Sequence, residues 1–311
     1  MERVYHYTSM DAFLKLIESI KDSSDMQSFV FRATNIFFLN DPQEFIYGQE
    51  VLMELLKDIE YNKKVDHNLC LSSLFQKHPE KSEEEWLKRL RDSIHKQNES
   101  PYVISFSRNE DSLPMWLNYG NGGNGVCLAF AEYRSKIITD SFLPKDLMDA
   151  KVEIYDQLGT YDVYYDAESI KEKDNSLRKM IENLYDYYLS KVQTIPLKDM
   201  LDLQIGSLRA FTEVTAPFIK TKDYEGEREV RLAKIINKRK GINFKEVEFR
   251  CNTKGNIIPY IKIEIPQKQL DYVRIGPLAN RESFANVIEM MKKRYCLEFG
   301  IKQSNIKYRD Y

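Results

Sequence analysis

Three observations predict a mixed α+β fold for this chain of 311 residues. Segments rich in β-branched and aromatic residues stand near both ends, long stretches between them carry apolar residues at helical spacing, and strand and helix alternate at short range around residues 102–130. No internal repeat and no Gly/Ser/Pro linker divides the text, so one domain over residues 1–311 is expected. Two helical insertions are expected within it, at about 61–100 and about 166–222.

The elements follow in order. Residues 1–8 read as a strand, and Thr8-Ser9-Met10-Asp11 opens a helix whose apolar stripe is Phe13, Leu14, Ile17 and Ile20. Val30 to Leu39 reads as a strand. In Asn40-Asp41-Pro42-Gln43-Glu44 the spacing predicts a capping box, with Asp41 as N-cap, Pro42 in the first helical position and Glu44 three residues after the cap, before a helix to about Glu60. Charged text with Leu71, Leu74, Trp86, Leu87, Leu90 and Ile94 at helical spacing fills the first insertion. Tyr102–Ser107 is a strand, Ser112–Tyr119 a short helix, and Gly125–Phe130 a strand after a glycine-rich turn. One or two strands lie in Lys151–Tyr165, and helices with a break near Pro196 run to about Thr221. Strands return at Glu227–Ile236, Ile257–Ile265 and Leu270–Ile275, followed by a helix from about Arg281 to Leu297 and a closing strand near Asn305–Tyr308.

Composition excludes several classes. Hydrophobic residues make up 42% and charged residues 30%, with 12 Gly and 10 Pro, so neither a collagen-like nor a low-complexity chain is expected. The 46 Lys+Arg nearly cancel the 48 Asp+Glu, leaving no bulk basic field for sequence-independent nucleic-acid binding. No apolar run of membrane-spanning length and no signal-like start is present, so a cytoplasmic protein with no membrane partner is expected. The four cysteines lie far apart without C-x-x-C, which suits buried reduced thiols better than a disulfide frame.

The most informative motif is Glu225-Gly226-Glu227-Arg228-Glu229-Val230-Arg231-Leu232. As a strand it puts Glu227, Glu229 and Arg231 on one face and Arg228, Val230 and Leu232 on the other. Two adjacent carboxylates on a strand face cost stability unless Arg231 or a ligand offsets them, which marks a candidate site; a charged edge that discourages aggregation is the plainer reading. His6, between Tyr5 and Tyr7 and ahead of Thr8, stands where a strand end meets a helix start and can grip a ribose or phosphate, or serve only as a structural histidine. Trp116 and Tyr119 share a helix face, either in the core or as a stacking platform. Asp41 and Glu44 are caps or carboxylates that reach a cleft. His67, Cys70, His78 and His95 fit no standard zinc spacing, and neither a phosphate-loop nor a nucleophile-elbow motif occurs.

These segments, in this order, resemble a bacterial domain-of-unknown-function family, number 2971. The likeness rests on Tyr5-His6-Tyr7-Thr8, Asn40-Asp41-Pro42 with Glu44, Ser105-Phe106-Ser107 with Asp111, Trp116 and Tyr119, then Gly125-Val126, Glu227 with Glu229 and Arg231, and Ile275-Gly276-Pro277, and spans about residues 4–309. The layout further resembles the ADP-ribosyltransferase fold, which implies a largely antiparallel central sheet with NAD as substrate. On that likeness His6 and Thr8 hold the adenosine-side ribose, Trp116 or Tyr119 covers the nicotinamide, and Glu229, with Glu227 orienting the acceptor, is catalytic. A fixed carboxylate would stabilise the oxocarbenium-like centre left by nicotinamide. Asp41, Glu44 and Arg231 have no role in the transferase pattern.

The resemblance thus implies an NAD-consuming ADP-ribosyltransferase-like enzyme, a toxin or phage-defence effector in kind, whose protein or nucleic-acid acceptor the sequence leaves unidentified. Two alternatives stay open. One is a metal-dependent nuclease or phosphodiesterase with Asp41, Glu44, Glu227 and Glu229 around Mg²⁺. The other is a non-catalytic nucleotide-sensing or partner-binding module that grips its ligand through Arg231.

Overall fold

The computed structural model describes residues 2–23, 26–41, 43–77, 82–96, 100–131, 160–171, 176–234, 246–252 and 255–308. Its centre is one open, mostly antiparallel sheet. In chain order the strands are β1 (Arg3–Thr8), β2 (Lys21–Ser23), β3 (Met26–Asn35), β4 (Tyr102–Ser107), β5 (Val126–Ala131), β6 (Thr160–Asp162), β7 (Glu229–Lys234), β8 (Glu248–Cys251), β9 (Ile257–Pro266), β10 (Leu270–Ile275) and β11 (Gly300–Gln303). The main path runs β11-β10-β5-β1-β4-β3-β9-β8, with β2 on β3, β7 on β4 and β6 on β7; β10 and β11 are the parallel pair.

β4 is the branch point. Along one edge it pairs with β7 from Tyr102↔Lys234 to Ser107↔Glu229. Its other edge is divided between β1, at Tyr5↔Ser107, and β3, at Thr34↔Val103 and Asn35↔Tyr102. In the gap, His6 Nδ1 donates to the Ser105 carbonyl at 2.9 Å. Because a carbonyl only accepts, this bond fixes the Nδ1–H tautomer.

Two cores sandwich the sheet. One face packs on α1 (Met10–Glu18) and α8 (Arg281–Tyr295), with Phe13, Ile17, Phe31, Phe106, Val230, Leu232 and Ile288 buried together. The other packs on the helical layer of α2 (Glu44–Lys63), α3 (Glu83–Lys96), α5 (Ala167–Lys171), α6 (Ser176–Val192) and α7 (Met200–Thr215). A smaller cluster on that second face sets Tyr5, Tyr7, Cys127 and Tyr272 beneath α4 (Leu113–Asn118). The two stretches expected to be helical hold the end of α2, α3 and α5 to α7, joined by short 3-10 turns such as His67–Leu69 and Ala216–Phe218, and the break near Pro196 is a turn between α6 and α7.

Several local expectations need correction. Asp41 is not the N-cap of α2: the helix starts at Glu44, Gln43 precedes it, and the Asp41 carboxylate instead accepts the Gln43 N–H at 2.9 Å. Pro42 lies outside the described residues, as do His78 and residues 151–159 of the expected Lys151–Tyr165 strands. In α1 the buried stripe is Phe13, Leu16 and Ile17, while Leu14 faces out. The closing strand is Gly300–Gln303, pulled into parallel register with β10, rather than 305–308. Cys251 and Cys296 are exposed, so only part of the cysteine set is buried.

Two glycines explain the Gly125-Val126 and Ile275-Gly276-Pro277 motifs without a ligand. A Cβ on Gly125 would lie 2.1 Å from the Thr8 carbonyl oxygen, and one on Gly276 would lie 2.3 Å from that of Gly123. Both let the backbone of the glycine turn pack against its neighbours, and Gly276 N–H donates to Gly125 O at 3.0 Å.

Candidate functional site

β7 begins at Glu229 rather than Glu227. Glu227 ends a 3-10 turn (Lys222–Glu227), and Arg228 closes it in the left-handed region at φ 44°. From Glu229 onward alternation holds: Val230 and Leu232 enter the apolar core beside α1, and Glu229 and Arg231 point into the helical layer. Both charged residues are buried, at 6% and 1% exposure.

Burying two charges is tolerable only if they are paired and their hydrogen bonds are met. Arg231 Nε and Nη2 donate to the two oxygens of Glu229 at 2.7 and 3.0 Å, and Nη1 donates to the Pro217 carbonyl at 2.6 Å. Nη1 also pairs with Glu44 Oε1, which the first turn of α2 brings in; a carboxylate there is further favoured by the helix dipole. Lys220 completes the cluster. Its Nζ donates to Glu227 at 2.7 Å and to Glu229 at 3.0 Å, lies 3.9 Å from Glu44 Oε2, and stands 4.4 Å from the Tyr224 ring centroid. Tyr119 donates its hydroxyl proton to the other oxygen of Glu227 at 2.6 Å.

The electrostatics follow from this geometry. Burial opposes ionisation of Glu229, but Arg231, Lys220 and a hydrogen bond from Ser105 outweigh it and hold its carboxyl at about 2. Burial likewise works against the charge on Lys220 and Arg231, yet the surrounding carboxylates leave both raised. Burial raises the Tyr165 hydroxyl, which accepts the Glu229 backbone N–H at 2.6 Å. Glu229 is therefore a permanent anion at neutral pH, with both oxygens already engaged.

Of the cluster, Glu229 reaches the wall of a cleft of about 560 Å³. Glu2, Arg3, Tyr5, Arg108, Asp162, Val163, Tyr165, Glu225, Arg228 and Glu229 line it. Arg108 is held by Asp162 at 2.8 Å, and Arg3 by Asp271 at 2.6 Å. Arg228 is exposed and makes no ion pair among the described residues.

Of the residues singled out in the sequence, the structure brings together Glu44, Tyr119, Glu227, Glu229 and Arg231. His6 is not among them. Tyr5 pairs with Ser107, and Ser107 with Glu229, so these three share one face; His6 and Thr8, one residue out of phase with Tyr5, take the opposite face. The His6 ring sits edge-on to Phe31 and Phe106 in the other core, and burial lowers its pKa. Trp116 is fully buried, its Nε1–H donated to Asp111 at 2.7 Å, so it offers no open stacking face. Tyr119 is spent holding Glu227, and Arg231 is sealed beneath Glu229 rather than open to a ligand. Asp41 stays in its own turn.

Lys220 and Tyr165 are residues that sequence reasoning missed, as are the cleft residues Arg3, Arg108, Asp162 and Arg228. A lone lysine directly after the apolar run Ala216-Pro217-Phe218-Ile219 is the signal that was there for Lys220. Tyr165 has no local signal.

Residues 115–232 match the model of a family described as Protein of unknown function (DUF2971). That segment is similar to this family. The matched segment runs from α4 to β7 and so contains Tyr119, Lys220, Glu227, Glu229 and Arg231, while Glu44 and His6 lie outside it. No curated protein and no solved structure matches the chain. Among the described residues no group of His, Cys, Asp and Glu is arranged to hold a metal ion, and no helix is long and apolar enough to cross a membrane.

Proposed function

We propose that this protein is a nucleotide-binding module whose ligand occupies the 560 Å³ cleft beside Glu229. The observation that carries the reading is the lining itself. Arg3, Arg108 and Arg228 offer guanidinium groups suited to phosphate, Tyr5 and Tyr165 offer ring surface, and Asp162 offers an acceptor for a ribose hydroxyl. Arg228, free of an ion pair among the described residues, is the group best placed to take a phosphate. The buried Glu44–Arg231–Glu229–Lys220–Glu227 cluster acts as the rigid wall behind the ligand.

A second reading is favoured by one observation: Glu229 lies at the cleft wall, ionised. In that reading the protein is an NAD-consuming enzyme of ADP-ribosyltransferase-like type, a toxin or phage-defence effector, and Glu229 stabilises the cation left when nicotinamide departs. The pairing of both Glu229 oxygens with Arg231 and Lys220 already offsets that negative charge, and His6 is not available to hold the ribose in the same cleft. Binding without turnover is therefore preferred. The metal-dependent reading is not retained, because the place between the carboxylates of Glu44, Glu227 and Glu229 is taken by the Lys220 ammonium.

Calorimetric titration of the purified protein with AMP, ADP and NAD, alongside chromatography for free nicotinamide, tests both. Saturable nucleotide binding that weakens in Arg228→Gln, with no nicotinamide released, is the expected result. Nicotinamide release that Glu229→Gln abolishes would replace it with the enzymatic reading, and no nucleotide binding at all would overturn both.

A further inference from the structure

A second cavity, of about 420 Å³, lies between β11, the segment after it and the start of α8. Arg274, Arg281, Lys302, Gln303, Ser304 and Asn305 line it. Its chemistry differs from that of the first cleft, where four carboxylates offset three guanidinium groups. No carboxylate lines this one among the described residues, and three cations do.

The fold places those cations deliberately. Parallel pairing puts Arg274 opposite Lys302, so both project on the same face, flanking Tyr272 with Lys302 Nζ 3.6 Å and Arg274 Cζ 5.7 Å from its ring centroid. Arg274 is buried at 5% exposure. It is held from behind by Glu110, by Asp111 at 3.6 Å and by the Gln303 carbonyl at 2.9 Å. Glu110 also accepts the Tyr272 hydroxyl at 2.5 Å, which fixes the wall on which the cations stand. Arg281 is the first residue of α8, a helix of 15 residues capped by Asn280, whose side chain accepts the Ser283 N–H at 3.1 Å. Arg281 is exposed and has no ion pair among the described residues, and the positive end of the helix dipole adds to its charge. Two buried polar atoms in the wall, Arg274 Nε and Gln303 Oε1, have no hydrogen-bond partner among the described residues, a cost that native interiors rarely carry.

We propose that this cavity is a binding site for a phosphate dianion, free or as the terminal group of a small phosphomonoester. Arg281 and Lys302 supply the contacts from its rim, and Arg274 supplies fixed positive charge beneath them. The site is separate from the nucleotide cleft and does not depend on that reading.

The test is titration of the whole protein at low ionic strength with inorganic phosphate, glycerol 3-phosphate and, as a monoanionic control, acetate. The variants are Arg281→Gln/Lys302→Gln, both at exposed positions, and Lys198→Gln, an exposed lysine that lines neither cavity, with circular dichroism to confirm that each is folded. Saturable binding of a phosphate probe is expected. It should weaken about tenfold or more in the double variant, since two charge-assisted contacts are removed, and stay unchanged in Lys198→Gln. Tighter binding of glycerol 3-phosphate than of phosphate assigns the site to phosphomonoesters, and the reverse to the free anion. Absence of saturable binding in the parent protein, equal binding of acetate, or binding that survives in the folded double variant would overturn the proposal.

Discussion

The two faces of β7 are buried alike and filled with opposite chemistry. On one side Val230 and Leu232 enter an apolar core of aromatic and branched side chains. On the other, Glu229 and Arg231 enter a layer whose apolar packing also takes in buried polar side chains such as Gln49, Glu60 and Gln204, and which holds an ionic cluster at its edge. The apolar face derives its stability from area removed from water and tolerates change in proportion to the volume lost. The charged face contributes little net stability as an intact set, yet each member removed strands the others in a poor solvent for charge. The difference teaches that comparable burial gives unequal fragility, and that the fragile face is the one that borders the cleft.

The sharpest way to break that contrast is to remove Arg231. Arg231→Met keeps most of the volume but leaves Glu229 and Glu44 without their guanidinium partner, and a loss of about 3–5 kcal/mol is expected in urea denaturation. Arg231→Lys should recover only part of this, because one ammonium cannot donate to both oxygens of Glu229, to Glu44 and to Pro217 O together. If Arg231→Met were neutral, the cluster would not be the constraint described here. The matched change on the other face, Leu232→Ala, should cost on the order of 3 kcal/mol through lost burial and the cavity left behind.

A pH series separates the faces next. Glu229 ionises more readily in the folded protein than in the unfolded chain, at about 2 against an ordinary value of 4.5. A depressed carboxyl contributes stability that is present above the unfolded value and is lost as pH falls from about 4.5 towards 2. The urea midpoint of the parent protein should therefore drop across that window. Glu229→Gln should start lower at pH 7 and change less over the same range, whereas Leu232→Ala should follow the parent's slope. Parallel slopes in all three would remove Glu229 from the account.

How much of this was legible in the sequence varies with the range of the interaction involved. β4 and β10 fall at their expected bounds, because each is a compact run of β-forming residues whose signal is local. Glu227, Glu229 and Arg231 stood out as charges at strand spacing on one face; Glu229 and Arg231 do share that face, whereas Glu227 falls in the turn before the strand. Glu44 was visible as a helix-start carboxylate, but its real partner is 187 positions away, and a capping pattern carries no information about such a partner. Asp41 satisfied the same local pattern and does nothing at long range. His6 misled because its neighbours suggested a ligand, whereas its face is decided by a register, Tyr5↔Ser107, that no local text reveals. Trp116 was seen as a helix-face aromatic, and only the fold around it decides that it is core.

His6 offers the smallest test, and it probes the opposite face from Glu229. The ring closes the gap where β1 and β3 part along β4, donating from Nδ1 to Ser105 O in a nest of Phe31 and Phe106. His6→Phe keeps an aromatic ring there but strands that carbonyl, so a loss of about 1–2 kcal/mol is expected at pH 8. Burial lowers the pKa of His6 despite the bond to Ser105, so the folded state favours the neutral ring. A histidine with a depressed value contributes stability above its unfolded pKa, near 6.5, and loses it as pH falls below that point. The gap between parent and His6→Phe should accordingly narrow between about pH 6.5 and 5. Nucleotide binding in the Glu229 cleft should be unaffected in His6→Phe, since the sheet lies between them; weakened binding there would mean that the two faces are not independent.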